Sequence, residues 1–344
     1  MTHPRLPLSP PHLGPDAARF AAEAVEKGLV AYPGPHIAAF EEAVAAYTGT
    51  ARAAALSSCT AALHLALVAL GLGKGDLVLT SDLTFVGSAN PISYTGAEPV
   101  FVGSDAESWN LSPALLEEAV ADLKRRGKRA KALVLVHLYG LPARADEIAA
   151  ICSREGIVMI EDCAESLGTF CRGRHTGSFG RVGCLSFNGN KIITTGGGGM
   201  AFSDDAALVD RMVFLATQAR EKVPYYLHNE CGYNYRMSNV LAALGAAQMN
   251  LVEERVARRR EIFARYRARL GILPGVTMMP DCADYGRASH WLSAIVLSPE
   301  FGEGAPERLR LALEAENIES RRIWRPMHLQ PLFKGAQVYG GAFG

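Results

Sequence analysis

An α/β fold built on a mostly parallel sheet is what this sequence predicts, and three observations predict it. Short β-branched apolar runs at 132–136, 157–160 and 184–187 read as strands buried on both faces. Helical patterns at 114–123 and 145–155 precede the first two of them. The alternation persists through the first 210 residues, and such alternation folds into a parallel sheet covered by helices.

Composition narrows the class further. The chain has 344 residues, 49% of them apolar, enough for a large domain and a smaller one. Lys plus Arg number 35 and Asp plus Glu number 35, so the basic excess of a nucleic-acid binder is missing. The basic stretch 255–260 sits in a helical pattern and reads as a solvated face. Seven cysteines occur without a C-x-x-C pair, which points away from a disulfide framework and from a zinc site. No metal is expected, and reduced thiols suit the cytoplasm. The opening MTHPRLPLSPPHLG has no apolar core of a secretory signal. No run reaches the roughly 20 apolar residues of a membrane span.

From Asn239 onward the texture changes. Residues 239–269 read as one long helix, followed by an apolar run at 291–297 and a helix at 306–316. We expect a large domain over 1–250, including the N-terminal segment, and a small C-terminal domain over 251–344. The final YGGAFG reads as an interrupted sequence, so the small domain is expected to be truncated.

Three segments carry chemistry. IVMIED at 157–162 puts Asp162 at the carboxyl end of a strand, where ligands gather in open α/β sheets. A carboxylate there either pairs with a cationic ring nitrogen, as pyridoxal 5′-phosphate (PLP) requires, or caps the next helix. LSFNGNKIITTGGGGM at 185–200 sets Lys191 between a buried strand and the apolar pair Ile192-Ile193. Desolvation there favours the neutral amine that carbonyl chemistry needs; a snorkelling surface lysine is the alternative. Glycines 196–199 permit positive φ or close backbone approach, for a cofactor or for a plain hairpin. SSCTAALHLAL at 57–67 opens an apolar helix with small residues, a ready anion site or an ordinary N-cap. Ser58 and Thr60 add hydroxyls, and Ser186, five residues before Lys191, adds another. A dinucleotide site is rejected, because GLGKGD at 71–76 follows a helix and ends in Asp.

These strings, in this order, resemble the DegT/StrS family of PLP-dependent sugar aminotransferases over nearly the whole chain. EDCAESLG at 161–168, SFNGNKIITTGGGG at 186–199, VHLYG at 136–140 and GYNYRMS at 232–238 carry the resemblance. It implies the PLP fold-type I architecture: a large domain with a mostly parallel seven-stranded sheet and a smaller α+β C-terminal domain. It implies Lys191 as the Schiff-base lysine and Asp162 as the partner of the pyridine nitrogen. Thr60, Ala61 and Ser186 match phosphate ligands, Ser58 and Cys59 complete the same cofactor-binding turn with Cys59 departing from the family's SGT-like pattern, and Phe85 matches the aromatic that stacks on the cofactor ring. Glu165 falls near the cofactor phenolate, where a second carboxylate is repulsive unless protonated. Asn234 or Arg236 would reach the phosphate of a neighbouring subunit, which implies a homodimer with shared sites. LSPPH at 8–12, Arg321 to His328 and FKGA at 333–336 further resemble UDP-N-acetylbacillosamine-type 4-aminotransferases. Aminotransferases of the legionaminic-acid pathway share the SFNGNKIITT string, and a perosamine-type sugar aminotransferase is a further alternative. Trp291, Arg321 and His328 are candidate nucleotide-sugar contacts.

The activity so implied is transfer of an amino group from glutamate to C4 of a nucleotide-linked 4-keto-6-deoxy-sugar. Two other readings remain. Sugar dehydratases of the same family carry histidine in place of the lysine, which Lys191 argues against. A non-catalytic PLP-binding regulator would keep the site without turnover.

Overall fold

The structure, a computed structural model, describes residues 4–341; of the final YGGAFG expected to interrupt the small domain, residues 342–344 lie outside them. The chain opens with helices α1 (Ala17–Glu26) and α2 (Pro35–Thr48). There follow β1 (Arg52–Leu56), α3 (Cys59–Ala69), β2 (Leu77–Ser81), α4 (Val86–Tyr94) and β3 (Glu98–Val102). Next come α5 (Pro113–Arg125), β4 (Ala130–Val136), α6 (Ala145–Glu155) and β5 (Val158–Asp162). Two short strands, β6 (Phe170–Cys171) and β7 (Arg174–His175), lead to β8 (Val182–Ser186), β9 (Gly199–Ser203) and α7 (Ala206–Ala216). The remainder holds α8 (Asn239–Ala246), α9 (Val252–Leu270), β10 (Val276–Met278), β11 (Gly286–Arg287), β12 (Ile295–Leu297), α10 (Ala305–Ala315) and β13 (Val338–Tyr339).

The main sheet has the order β1-β9-β8-β5-β4-β2-β3-β13. Every pairing from β8 to β13 is parallel, and β9 alone runs against its neighbours. Seven of its strands come from residues 52–203, the number the family architecture implies. The eighth, β13, corrects that count: the chain returns from the C-terminal segment to pair Val338 with Phe101 and Tyr339 with Val102. Both faces are buried because strand side chains alternate with a period of two. In β4, Leu133 and Leu135 join the core under α2, α5 and α6, whereas Ala132 and Val134 join the core under α3 and α7.

The long helix expected over 239–269 is two helices, α8 and α9, broken by a 3-10 turn at Met249–Leu251. Gln248 explains the break. Its buried side chain amide donates to Thr194 O at 2.7 Å and accepts from Thr194 N at 3.3 Å, so this turn is fixed to the loop after Lys191. Past it, β10 pairs antiparallel with β12, and α9 and α10 complete a small α+β unit. None of the helices among the described residues is long and apolar enough to cross a membrane.

Candidate active site

The sheet aims its carboxyl ends at one edge. β1 runs parallel to β8 because both are antiparallel to β9, so β1, β2, β4, β5 and β8 all end there. Register aligns the ends: Val136 faces Asp162, Asp162 faces Cys184, and Ser186 and Leu56 both face Gly199. Chemistry-bearing residues that follow these strands are therefore brought together, although they come from 130 residues of chain.

Asp162 closes β5 and is 5% exposed. Its Oδ2 accepts from Ser88 Oγ at 2.7 Å, and its Oδ1 accepts from Ala164 N at 3.0 Å. The Cys59 thiol lies 3.7 Å from the same Oδ1; burial, then the Asp162 charge, pushes that thiol well above its usual value, so it stays protonated and can donate. The preceding residue, Glu161, points to the opposite face of the strand. It is buried, lies 2.9 Å from His137 Nε2, and accepts N–H groups of Gly177, Phe179 and Gly180. Because His137 Nδ1 accepts from Ala143 N, its Nε2 carries the proton that goes to Glu161. Burial would raise the Glu161 carboxyl; the His137 bond and the N–H groups outweigh it and hold the group below the usual range. His137 and Glu161, with Cys163 close by, thus form a satisfied structural brace behind the site.

Lys191 lies in the loop after β8, with its side chain 12% exposed. Its Nζ stands 3.6 Å from Glu165 Oε1 and 3.8 Å from the centre of the Trp291 ring. Trp291 Nε1 and Ser9 Oγ both donate to Asn190 O, which pins the backbone immediately before the lysine. Glu165 feels the charge of both Lys191 and Asp162. Burial raises its carboxyl to about 7, with Lys191 opposing the rise and Asp162 adding to it. Its Oε2 accepts from Tyr139 N at 2.7 Å. The acid that would repel a phenolate is therefore held close to neutrality.

The start of α3 supplies N–H groups at the same edge. Ser58 is its N-cap and accepts from Ala61 N at 3.0 Å, so the ordinary capping role holds for Ser58 and occupies the N–H of Ala61. The N–H groups of Cys59 and Thr60 and the Thr60 hydroxyl remain for an anion. Gly199 lets β9 lie against this turn: a Cβ there would collide with the Ser58 carbonyl and the Cys59 nitrogen. Only Gly196 of the run 196–199 has positive φ, at +79°. Ser186 ends β8 beside Gly199. Phe85 is 55% exposed, with its ring 5.6 Å from Trp324, which in turn packs on Tyr139.

The remaining sequence candidates fall in different places. His328 Nδ1 lies 2.6 Å from the buried Asp82 Oδ2 at the end of β2, and its N–H donates to Asp82 Oδ1. Arg321 faces solvent and pairs with Glu319 at 2.9 Å. Arg236 turns inward to Glu41 at 2.7 Å and over the Tyr32 ring, whereas Asn234 is exposed and accepts from Gln218 at 3.1 Å. Sequence reasoning missed Ser88, Thr84, Tyr139, Trp324 and Asp82. The spacing of Thr84 and Ser88 around Phe85 was the one available signal for the first two.

A buried carboxylate, a shielded primary amine and a second buried acid that feels both gather at the carboxyl edge of a parallel sheet, with helix N–H groups and an exposed aromatic ring at the same edge. That donor set fits PLP: an acceptor for a ring N–H, an amine for an aldehyde, and an anion seat for a phosphate. Fold and site together define a fold-type I aminotransferase. The chain belongs to the DegT/DnrJ/EryC1/StrS aminotransferase family, which it matches over residues 12–342. It is 46% identical over 337 residues to EpsN of Bacillus subtilis, named as a pyridoxal phosphate-dependent aminotransferase, covering 98% of this chain and 86% of EpsN. It is 38% identical over 331 residues to the GDP-perosamine synthase of Caulobacter vibrioides, covering 95% and 86%. Among solved structures it is similar to a DegT DnrJ EryC1 StrS aminotransferase from Brucella abortus, with TM-score 0.87, 31% identity and 95% and 86% of the two chains covered. The aminotransferase TlmJ from Streptoalloteichus hindustanus matches with TM-score 0.89, 28% identity and 97% and 88% covered. The protein is a sugar aminotransferase of this family, and PLP is its cofactor.

Proposed function

We propose that the enzyme moves an amino group from glutamate to C4 of a nucleotide-linked 4-keto-6-deoxy-sugar, a UDP-2-acetamido-4-keto-6-deoxyhexose in the first instance, for bacterial surface-glycan or glycoprotein amino-sugar synthesis. The observation that carries the catalytic part is the Lys191–Glu165 pair at 3.6 Å beside the buried Asp162. Bound PLP supplies an aldehyde that captures an amine and a protonated ring that takes up the electron pair left by a departing proton. Asp162 accepts the ring N–H through a carboxylate fixed by Ser88 and Ala164. Lys191 Nζ takes a proton from the donor carbon and returns one, and Trp291 keeps water from that amine. Glu165, held near 7, passes from acid to carboxylate as the Lys191 charge comes and goes. Cys59, Thr60 and Ser186 seat the phosphate, and Phe85 covers the ring.

A GDP-linked sugar is the second reading, favoured by three GDP-perosamine synthases that are 34–38% identical to this chain. We further propose two domains meeting near residue 250, a cytoplasmic location that suits seven free thiols, and a homodimer. In that dimer the exposed Asn234 serves the partner's phosphate site, because Arg236 is already committed to Glu41. Trp291 and His328 border the sugar, and Arg321 is assigned to the nucleotide end.

The deciding assay offers UDP-, GDP- and dTDP-linked 4-keto-sugars with glutamate and follows 2-oxoglutarate. Turnover with the UDP sugar and its loss in Lys191→Ala support the reading. Turnover confined to the GDP sugar moves the assignment to the second reading. Wild-type PLP binding without turnover on any of them leaves the regulator.

A further inference from the structure

Asp162 is a buried carboxylate for which no cation forms an ion pair among the described residues. Its charge is met by neutral donors: Ala164 N on Oδ1 and Ser88 Oγ on Oδ2, with the Cys59 thiol shared between Oδ1 at 3.7 Å and the Cys184 carbonyl at 3.4 Å. Ser88 makes the shortest of these contacts, 2.7 Å, and is 2% exposed. A hydroxyl has one proton to give. Since Ser88 gives it to Asp162, the 2.8 Å contact between Ser88 Oγ and Thr84 Oγ1 must run from Thr84 to Ser88. Thr84, Ser88 and Asp162 therefore form a directional relay, with Thr84 at 1% exposure and Asp162 at 5%. Hydrogen bonds in such a chain polarise one another and strengthen the last one, to the carboxylate.

The relay sits at the start of α4. Phe85 is the N-cap of that helix and Ser88 lies three residues on, on the same side of its first turn. One helical turn thus carries both the exposed ring expected over the cofactor and the hydroxyl that steadies the cofactor's anionic partner. The other titratable groups around Asp162 are the thiols of Cys59, Cys163 and Cys184 and the Glu165 carboxyl, with Lys191 acting on both Glu165 and Cys59. Burial, named first among the causes for all three thiols, keeps them protonated, so none competes as an anion.

We propose that Ser88, supported by Thr84, is a positioning residue for transamination: its hydroxyl fixes the Asp162 carboxylate in the rotamer that receives the ring N–H of PLP. The inference rests on Asp162 being that acceptor. Without Ser88, Oδ2 loses its one donor among the described residues and the carboxylate is free to turn about its Cβ–Cγ bond.

The test compares Ser88→Ala, Ser88→Thr and Thr84→Val with the wild-type holoenzyme. A lost hydrogen bond to a charged group corresponds to about a 10- to 100-fold effect. Ser88→Ala is expected to raise the PLP dissociation constant about 10-fold and lower kcat by about 10- to 100-fold, with KM for glutamate and for the sugar within about threefold. The visible absorbance band of the bound cofactor should weaken, with its pH midpoint displaced. Ser88→Thr keeps the hydroxyl and should restore the band and kcat to within about threefold, and Thr84→Val should show the same changes at smaller size. An unchanged band and dissociation constant in Ser88→Ala overturns the proposal. So does a Ser88→Thr variant that folds, by near-ultraviolet circular dichroism, yet behaves as the alanine variant. If Ser88→Ala does not fold, Thr84→Val decides by its band. Failure of Asp162 as the ring partner is distinguishable, since Asp162→Asn would then keep the wild-type band while the Ser88 variants also keep theirs.

Discussion

Glu165, placed beside Lys191, makes the fold itself sensitive to pH. In the unfolded chain this carboxyl titrates near 4.5, and in the folded chain burial moves it to about 7. Between those values the native state holds a proton that the unfolded state has released. Stability from this group is therefore complete below about pH 4.5 and is lost as pH rises through about 7. At about 1.4 kcal/mol per pH unit, the full loss is roughly 3 kcal/mol. Glu165→Gln has nearly the same shape and no titration, and its amide oxygen can keep the Tyr139 N–H. Urea unfolding of cofactor-free wild type and variant, measured from pH 5 to pH 8, isolates the effect, because every other titrating group is common to both. The variant should gain on the wild type by about 2–3 kcal/mol across that range, with most of the gain between pH 5 and 7. A constant offset between the two curves would refute the placement of Glu165 as a desolvated acid.

Other outcomes follow from the same geometry. Lys191→Ala should lose all borohydride-fixed PLP and lower turnover by at least about a thousandfold, read by absorbance and by 2-oxoglutarate release. Glu161→Ala strips the acceptor from three backbone N–H groups and from His137, and should cost about 3–5 kcal/mol in urea unfolding. Gly199→Ala drives a methyl into the Ser58–Cys59 backbone, costing about 1–3 kcal/mol and weakening PLP binding more than glutamate binding. Asn234→Ala should raise the PLP dissociation constant by about 3- to 10-fold, and sedimentation should still find a dimer.

Strands β4, β5 and β8 were legible because a sheet buried on both faces leaves continuous apolar runs, and each observed strand falls within two residues of its run. Asp162 and Lys191 stood out in the sequence for a related reason, since a carboxylate or an ammonium next to such a run is costly unless something uses it, and the structure shields both from solvent. The helix over 239–269 was misread as continuous because its apolar period survives a break made by a tertiary bond, Gln248 to Thr194. β13 was invisible because two residues carry no periodicity, and only the open edge of β3 makes them a strand.

The same division runs through the site. Local sequence determined which residue types end each strand, since strand, turn and helix are written in near-neighbour patterns. Tertiary structure alone decided that Ser88, from α4, meets Asp162, from β5, across 74 residues of chain, and that Glu165 is buried deeply enough to sit near neutrality. Hydrogen-bond partners and desolvation depend on what packs against a side chain from elsewhere, and that is fixed only when the sheet order brings distant strands into register.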